Sequence, residues 1–379
     1  MIYEYPKIEP IDVEVLELIR DQRRALQHQV NTNPLRWRGF LRRNTLARAI
    51  RGSNSIEGFN ANLAEAIAIV DSERPETLED ETRKALEGYR LAMTHVLSVH
   101  SDPYVEINTQ FIRSLHFMMI SYDMAKMPGQ WRTGDVYVVS EPDGERVYEG
   151  PPADNVPMLM RELTEQILAE DGIESATVLG AMAHLNLAMI HPFKDGNGRM
   201  ARALQTLVIA RNGILSPEFS SIEEWLGRNT ESYYAILKET GEGAWNPQKS
   251  ALPWVRFCLK AHYQQAATII RRNEIMGRIW AEIETIRKTC GLHERVETTL
   301  MDATFGYKVT SARHKEAAEV SDIVATRELK RLADIGLLKA VGEKRGRFYL
   351  ASEKLLEIFA RCNIRPTKAP DPYTMLSNK

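Results

Sequence analysis

Apolar residues recur at spacings of three and four through most of residues 10–290. The pattern is clear in IDVEVLELIRDQRRAL, LAEAIAIV, FIRSLHFMMI and SATVLGAMAHLNLAMI, and it predicts amphipathic or buried helices. One stretch breaks it. GDVYVVSEPDGERVYEG alternates, carries β-branched and aromatic residues, and turns at EPDGE, which predicts a β-hairpin. GPP closes the hairpin and ADNVPMLMRELTEQIL returns to helix. A second change comes near residue 295, where two short helices, a tight turn and a small hairpin are predicted. The tail RPTKAPDPYTMLSNK is Pro-rich and is expected to be flexible. The fold class is therefore mainly α. The expected layout is an N-terminal helical region over 1–100, a helical core over 101–290, a small α+β module over 291–365 and a tail over 366–379.

Composition adds limits to this picture. The 379 residues are 44% hydrophobic and 26% charged, an ordinary globular balance with room for two or three domains. The net charge of −2 gives no overall pull toward nucleic acid or membrane. The polar N-terminus MIYEYPKIEP lacks a signal-peptide core, and no run approaches the roughly 18 apolar residues of a membrane span. Cys258, Cys290 and Cys362 are far apart and read as reduced thiols of a cytoplasmic protein.

The chemistry concentrates in HPFKDGNGRMAR, residues 191–202. A helix of about four turns precedes it, and GRMARALQTLVIARNG continues as helix, with Gly213 where helices often end. Gly196, Asn197 and Gly198 can aim successive N–H groups at an anion, and the helix dipole adds to that field. Arg199 and Arg202 are three apart and share a helix face, so the set suits a polyphosphate. Asp195 can hold Mg²⁺ bridging phosphate oxygens, and His191 has the intrinsic pKa of a base near neutral pH. Pro192 and Phe193 read as structural. GNGRMA fits a loose dinucleotide pattern but follows a helix, not a strand. A calcium loop fails, because Phe193 and Leu204 would fall at its end ligand positions.

These residues resemble the Fic family signature H-P-F-x-[DE]-G-N-G-R-x-x-R at every specified position. The resemblance implies a Fic helical core with a hairpin flap. It also implies transfer of AMP from ATP to a Ser, Thr or Tyr hydroxyl of a protein, with release of pyrophosphate. His191 would be the base and Asp195 the Mg²⁺ ligand. Gly196, Asn197 and Gly198 would hold the α- and β-phosphates, and Arg199 and Arg202 the β- and γ-phosphates. Met200 and Ala201 lie within the same ATP-binding stretch. The family's phosphotransferring branch replaces G-N-G-R, which is intact here.

A second stretch, RGSNSIEGFNANLAEAIAIV, places Ser53 and Glu57 four apart on one helix face. It resembles the family's inhibitory motif [ST]-x-x-x-E-[GN], as Ser53, Glu57 and Gly58. That likeness implies pairing of Glu57 with Arg202, so that ATP binds in an unproductive pose. The hairpin sits where the family has its flap, which holds a target segment by strand addition, with a plain surface hairpin as the alternative. NTESYYAIL resembles the helix flanking the adenine, with Asn229, Tyr233 and Tyr234 as candidates against a core-packing alternative. His184 and His116 read as structural.

The C-terminal module resembles a winged helix-turn-helix. Ser321 or Asp322 would cap a helix running to about Ala333, Gly336 would end it, and GEKRG would form the wing. Arg327, Lys330, Arg331, Lys339, Lys344, Arg345 and Arg347 against Glu328, Asp334 and Glu343 suit phosphate contact, so DNA is a candidate partner. Two other functions stay open: removal of AMP by the same site, and a DNA-binding regulator whose core senses nucleotide. Self-modification and a homodimer are further expectations.

Overall fold

The computed structural model describes residues 1–139, 146–169, 175–211, 215–343, 346–364 and 369–377. Gly213, Lys344, Arg345 and the hairpin tip at 140–145 lie outside the described residues. The chain divides into two compact units. One is Met1–His28, Arg42–Ala267 and Ala369–Lys379; the other is Gln29–Leu41 and Thr268–Lys368.

The first unit draws on α1 (Pro10–Thr32), α2 (Leu35–Ile56), α3 (Leu63–Val70), α4 (Asp80–Val99) and α5 (Thr109–Ile120). A two-stranded antiparallel sheet follows, β1 (Tyr137–Val139) and β2 (Arg146–Glu149), with Tyr137 opposite Glu149. Then come α6 (Val156–Ala169), α7 (Ala176–Ile190), α8 (Asn197–Arg211), α9 (Pro217–Ser220), α10 (Glu223–Arg228), α11 (Thr230–Gly241) and α12 (Leu252–Thr289). The unit boundaries fall inside α1, α2 and α12.

α7 and α8 are the centre of this unit. ATVLGAMAHLNLAMI is apolar on every side, and all but Ala176 and Ala188 of α7 are buried. A helix apolar all round belongs inside a core. α8 is buried from Asn197 to Ala210 apart from Gly198. α2 approaches α10 backbone to backbone: a Cβ on Gly52 would lie 2.5 Å from the Glu223 carbonyl oxygen, and one on Gly227 2.7 Å from that of Gly52. Only glycine permits that approach, and it holds the later part of α2 against α10.

The tail departs from the sequence expectation. Residues Pro372–Ser377 form α17, and Tyr373 donates a hydrogen bond to Asp12 at 2.9 Å. Gln264 donates to the Ala369 carbonyl at 2.9 Å and Lys260 pairs with Asp371 at 2.8 Å. Proline content signals weak local propensity, and tertiary contacts overrode it.

The second unit holds α13 (Glu297–Thr304), α14 (Ser311–Ala318), α15 (Asp322–Asp334), the antiparallel pair β3 (Leu338–Val341) and β4 (Phe348–Ala351), and α16 (Glu353–Cys362). Ser321 caps α15, and Gly336 follows it at φ +74°, which places the turn-helix-hairpin order as read from the sequence. No helix among the described residues is long and apolar enough to cross a membrane.

Candidate active site

α7 ends at His191, whose backbone takes the left-handed conformation at φ +50° while its N–H bonds the Leu187 carbonyl at 3.0 Å. That turn swings Pro192–Gly196 back over the core and delivers the chain to the start of α8. Phe193 is fully buried, as expected of a plug. Asn197 clamps the loop from both sides: its Oδ1 accepts from the Phe193 N–H and its Nδ2 donates to the Phe193 carbonyl, each at 2.9 Å. The Asn197 side chain is therefore occupied with the loop. Gly196 stands at φ +77°, and its N–H is bound by Asp195 Oδ1 at 2.6 Å. The first-turn N–H groups of a helix have no intrahelical partner, so those of α8 at Asn197, Gly198 and Arg199 are candidate anion donors beside the engaged Gly196 N–H. Met200 and Ala201 turn their side chains into the core.

Two arginines flank these donors. Arg199 is fully buried, lies over the Phe59 ring at 5.2 Å, and leaves Nε and Nη1 without a hydrogen-bond partner. Arg202 is as deeply buried but engaged: Nε donates to Ser53 Oγ at 2.8 Å, and Nη2 to the Ser53 carbonyl at 3.0 Å and to Glu57 Oε1 at 2.6 Å. Its Nη1 has no partner. Burial works against the Arg202 cation, but the Glu57 carboxylate outweighs it and holds the guanidinium above its ordinary range. Glu57 Oε1 also sits 2.5 Å from where a Cβ on Gly198 would be. Glycine at 198 lets a carboxylate reach the helix start, and the same opening suits a phosphate. Buried guanidinium N–H groups without partners are costly unless an anion satisfies them.

Burial lowers the His191 pKa to about 4, so the ring is neutral at neutral pH. Its Nδ1 lies 3.3 Å from the Ala188 carbonyl. A carbonyl only accepts, so the proton sits on Nδ1 and Nε2 keeps its lone pair for a substrate hydroxyl. Burial alone would raise the Asp195 carboxyl; Lys126, at 2.9 Å, together with Arg199 and the Gly196 N–H, outweighs it and holds the group below the usual carboxylate range. No cluster of three or more metal-ligating side chains occurs among the described residues. Asp195, 36% exposed, is a single hard oxygen donor of the kind Mg²⁺ shares with substrate phosphates while keeping its waters.

The three residues proposed for the adenine divide. Tyr233 is buried, its hydroxyl 2.9 Å from His184 Nε2 and its ring 6.0 Å from the Arg202 guanidinium. Tyr234 is half exposed and donates to the Ile56 carbonyl at 3.3 Å. The Asn229 amide donates to the Trp225 carbonyl at 2.7 Å. Only Tyr234 leaves much of its ring open to a ligand; Tyr233 is core.

Several supports escaped the sequence reading. His116 stacks on Phe193 with centroids 3.7 Å apart, and its Nε2 meets the Asp195 carbonyl at 2.9 Å. Arg132 donates to the His191 carbonyl at 2.9 Å and its own N–H bonds the Pro192 carbonyl, tying the base of the β1–β2 hairpin to the loop. A histidine on the apolar face of FIRSLHFMMI was the one available signal for the first; nothing local marked the second.

Residues 106–209 match the profile of the Fic/DOC family. Over 260 residues the chain is 30% identical to Protein adenylyltransferase fic-1 of Caenorhabditis elegans, which covers 67% of this chain and 46% of that protein. It is 29% identical to the protein of that name in Caenorhabditis briggsae, with the same coverage, and 26% identical to Protein adenylyltransferase Fic of Nematostella vectensis, over 66% of this chain and 55% of that one. The chain thus spans about half the length of these relatives. Among solved structures, a Fic family protein from Desulfovibrio desulfuricans G20 aligns with a TM-score of 0.58 at 21% identity, over 93% of this chain and 99% of that one. Fic-1 of C. elegans aligns at 0.52 and 22% identity, over 69% and 73%. Residues 106–209 are thus similar to a Fic domain, within a mainly α fold shared with these structures.

Proposed function

We propose that this Fic-like domain transfers AMP from ATP to a hydroxyl of a protein and that Glu57 restrains it. The observation that carries the reading is the start of α8. Two fully buried arginines with N–H groups left unpartnered stand beside three helix-terminal N–H groups and a neutral histidine. Such a cradle suits a triphosphate, and relatives named protein adenylyltransferases support it. His191 Nε2 takes the proton from the target hydroxyl as its oxygen attacks the α-phosphorus, and pyrophosphate departs. The N–H groups of residues 197–199 and the two guanidiniums stabilise the charge that gathers on the phosphate oxygens. Asp195 would hold Mg²⁺, which supplies charge neutralisation on the phosphates. Glu57 places a carboxylate where an anion would sit, and it occupies the arginine needed for the terminal phosphate.

The target is a protein in a cytoplasmic setting, with self-modification and a homodimer as part of the same reading. The test is incubation of Glu57→Gly with α-³²P-ATP and lysate: label on protein is expected, and label retained only in nucleotide by a folded variant overturns the proposal. Release of AMP from labelled protein by the wild type would instead favour removal of AMP by the same site.

One observation favours a DNA partner for the second unit. It carries 22 Lys and Arg against 14 Asp and Glu, a charge of +8, whereas the rest of the chain carries 27 against 37, a charge of −10. Ile323, Thr326, Arg327 and Lys330 form one exposed stripe of α15, while the acid between them, Glu328, turns inward to Arg295 and His314. Salt-dependent binding of a labelled duplex, weakened in Arg327→Ala, is expected; binding unaffected by salt and by that substitution sinks it.

A further inference from the structure

Asp195 Oδ1 accepts from the Gly196 N–H, and Oδ2 is paired with Lys126 Nζ at 2.9 Å. Lys126 belongs to a short built turn. Met124–Lys126 is a single 3-10 turn, capped by Asp123 on the Ala125 N–H at 3.0 Å and tied by Lys194 Nζ to the Ala125 carbonyl at 3.0 Å. The ammonium lies 5.8 Å from the Phe59 ring and 5.5 Å from that of Tyr122, with Glu81 at 3.8 Å. Phe59 is two residues beyond Glu57, and its ring also carries the Arg199 guanidinium at 5.2 Å. The Phe59 backbone N–H bonds the Asn54 carbonyl at 3.0 Å, so its ring and the Glu57 carboxylate belong to one folded turn.

We propose that Lys126 occupies the cation position at Asp195 and that Phe59 holds it there, so that the Glu57–Phe59 turn obstructs the metal as well as the arginine. An ammonium and a divalent cation cannot share one carboxylate oxygen at close range, since like charges in a partly buried site repel strongly. Metal must therefore displace Lys126, and the Phe59 face, attractive to a cation, opposes that displacement. Lys126 is a positioning residue in this scheme. It touches neither phosphate nor target, and it sets how much metal the site demands.

This inference rests on the nucleotide-binding reading above, and its test separates the two. Binding of Mn²⁺ with a non-hydrolysable ATP analogue is followed by electron paramagnetic resonance in the full chain, with folding checked by thermal melting. In Lys126→Gln the Mn²⁺ concentration for half-saturation should fall about five- to tenfold, the weight of one partly exposed ion pair together with the removed repulsion. Lys126→Arg, which keeps the charge, should stay near wild type. Phe59→Leu should lower the requirement by a smaller factor. An unchanged or raised requirement in Lys126→Gln overturns the proposal, a raised one marking Lys126 as a phosphate ligand. An unchanged requirement in Phe59→Leu overturns the link to the inhibitory turn. Absence of analogue binding in wild type and in Glu57→Gly alike would remove the nucleotide reading itself.

Discussion

The start of α8 and the end of α2 meet at one ion pair, yet they are held in place very differently. The α8 end is immobilised from beneath: Asn197 grips Phe193 by two hydrogen bonds, His116 stacks on that ring, and Arg202 is fully buried. The α2 end is anchored by Gly52 against α10 and by Tyr234 on the Ile56 carbonyl, and the turn beyond it reaches solvent. Ser53 is buried against Arg202, but Glu57 is 23% exposed and Gly58, at φ +83°, lies open to solvent. A site that must bind charge in fixed geometry is preorganised by the core. The restraint proposed for Glu57 would have to be removable, and it hangs at a helix end, where local opening costs least. The arginines show the same contrast. Arg202 is bonded through Nε and Nη2 and leaves only Nη1 without a partner, whereas Arg199 leaves both Nε and Nη1.

Removing the base tests the preorganised side most severely. His191→Ala should lower AMP transfer by about 10²–10⁴-fold with its melting temperature little changed. Initial rates with labelled ATP measure this, and a rate near that of the parent would reassign the base. Removing the restraint works in the other direction. Glu57→Gly should raise the rate by roughly ten- to a hundredfold, the range for freeing one partner of a close buried charge pair. Arg202→Ala should not be activated, and the double variant should resemble it, because the pair acts through a single arginine. Additive effects in the double variant would break the assignment of both residues to one switch.

The clamp gives a smaller effect, read in stability. Asn197→Ala strands a buried N–H and a buried carbonyl of Phe193, each otherwise satisfied, and should cost about 1–3 kcal/mol in chemical denaturation. A loss as small as that of an exposed Asn would mean that the loop holds itself. The smallest effect concerns pH. Burial puts His191 at about 4, below its ordinary value, so it remains an unprotonated base down to that pH. Transfer by Glu57→Gly should hold its rate from about pH 7.5 to about 5.5 rather than fall through 6.5. Stability should decline over the same acid range. His184 at about 3, His116 at about 4 and His191 are neutral when folded but take up protons near 6.5 when unfolded. The unfolded state then binds more protons, so stability is lost as pH falls below about 6.5. A melting temperature unchanged between pH 7 and 5 would contradict that burial.

Residues 191–202 and the helical fold were legible in the chain because both are local. A repeat of 3.6 residues marks a helix, and a base, an acid, glycines and two arginines within one turn of chain carry their own geometry. The Ser53–Glu57 spacing was legible as a helix face and its pairing with Arg202 was expected from the family likeness, while the geometry of that bond across 145 residues came from the folded chain. Tertiary structure alone decided what each group does. It engaged the Asn197 side chain with Phe193, tied the Gly196 N–H to Asp195, and buried Tyr233. It also brought His116, Arg132 and Lys126 to a loop some sixty or more residues further along, and tied the tail to Asp12. The reason is physical: spacing encodes neighbours along one element, but burial and pairing sum over segments distant in sequence, and no local period records which of them will arrive.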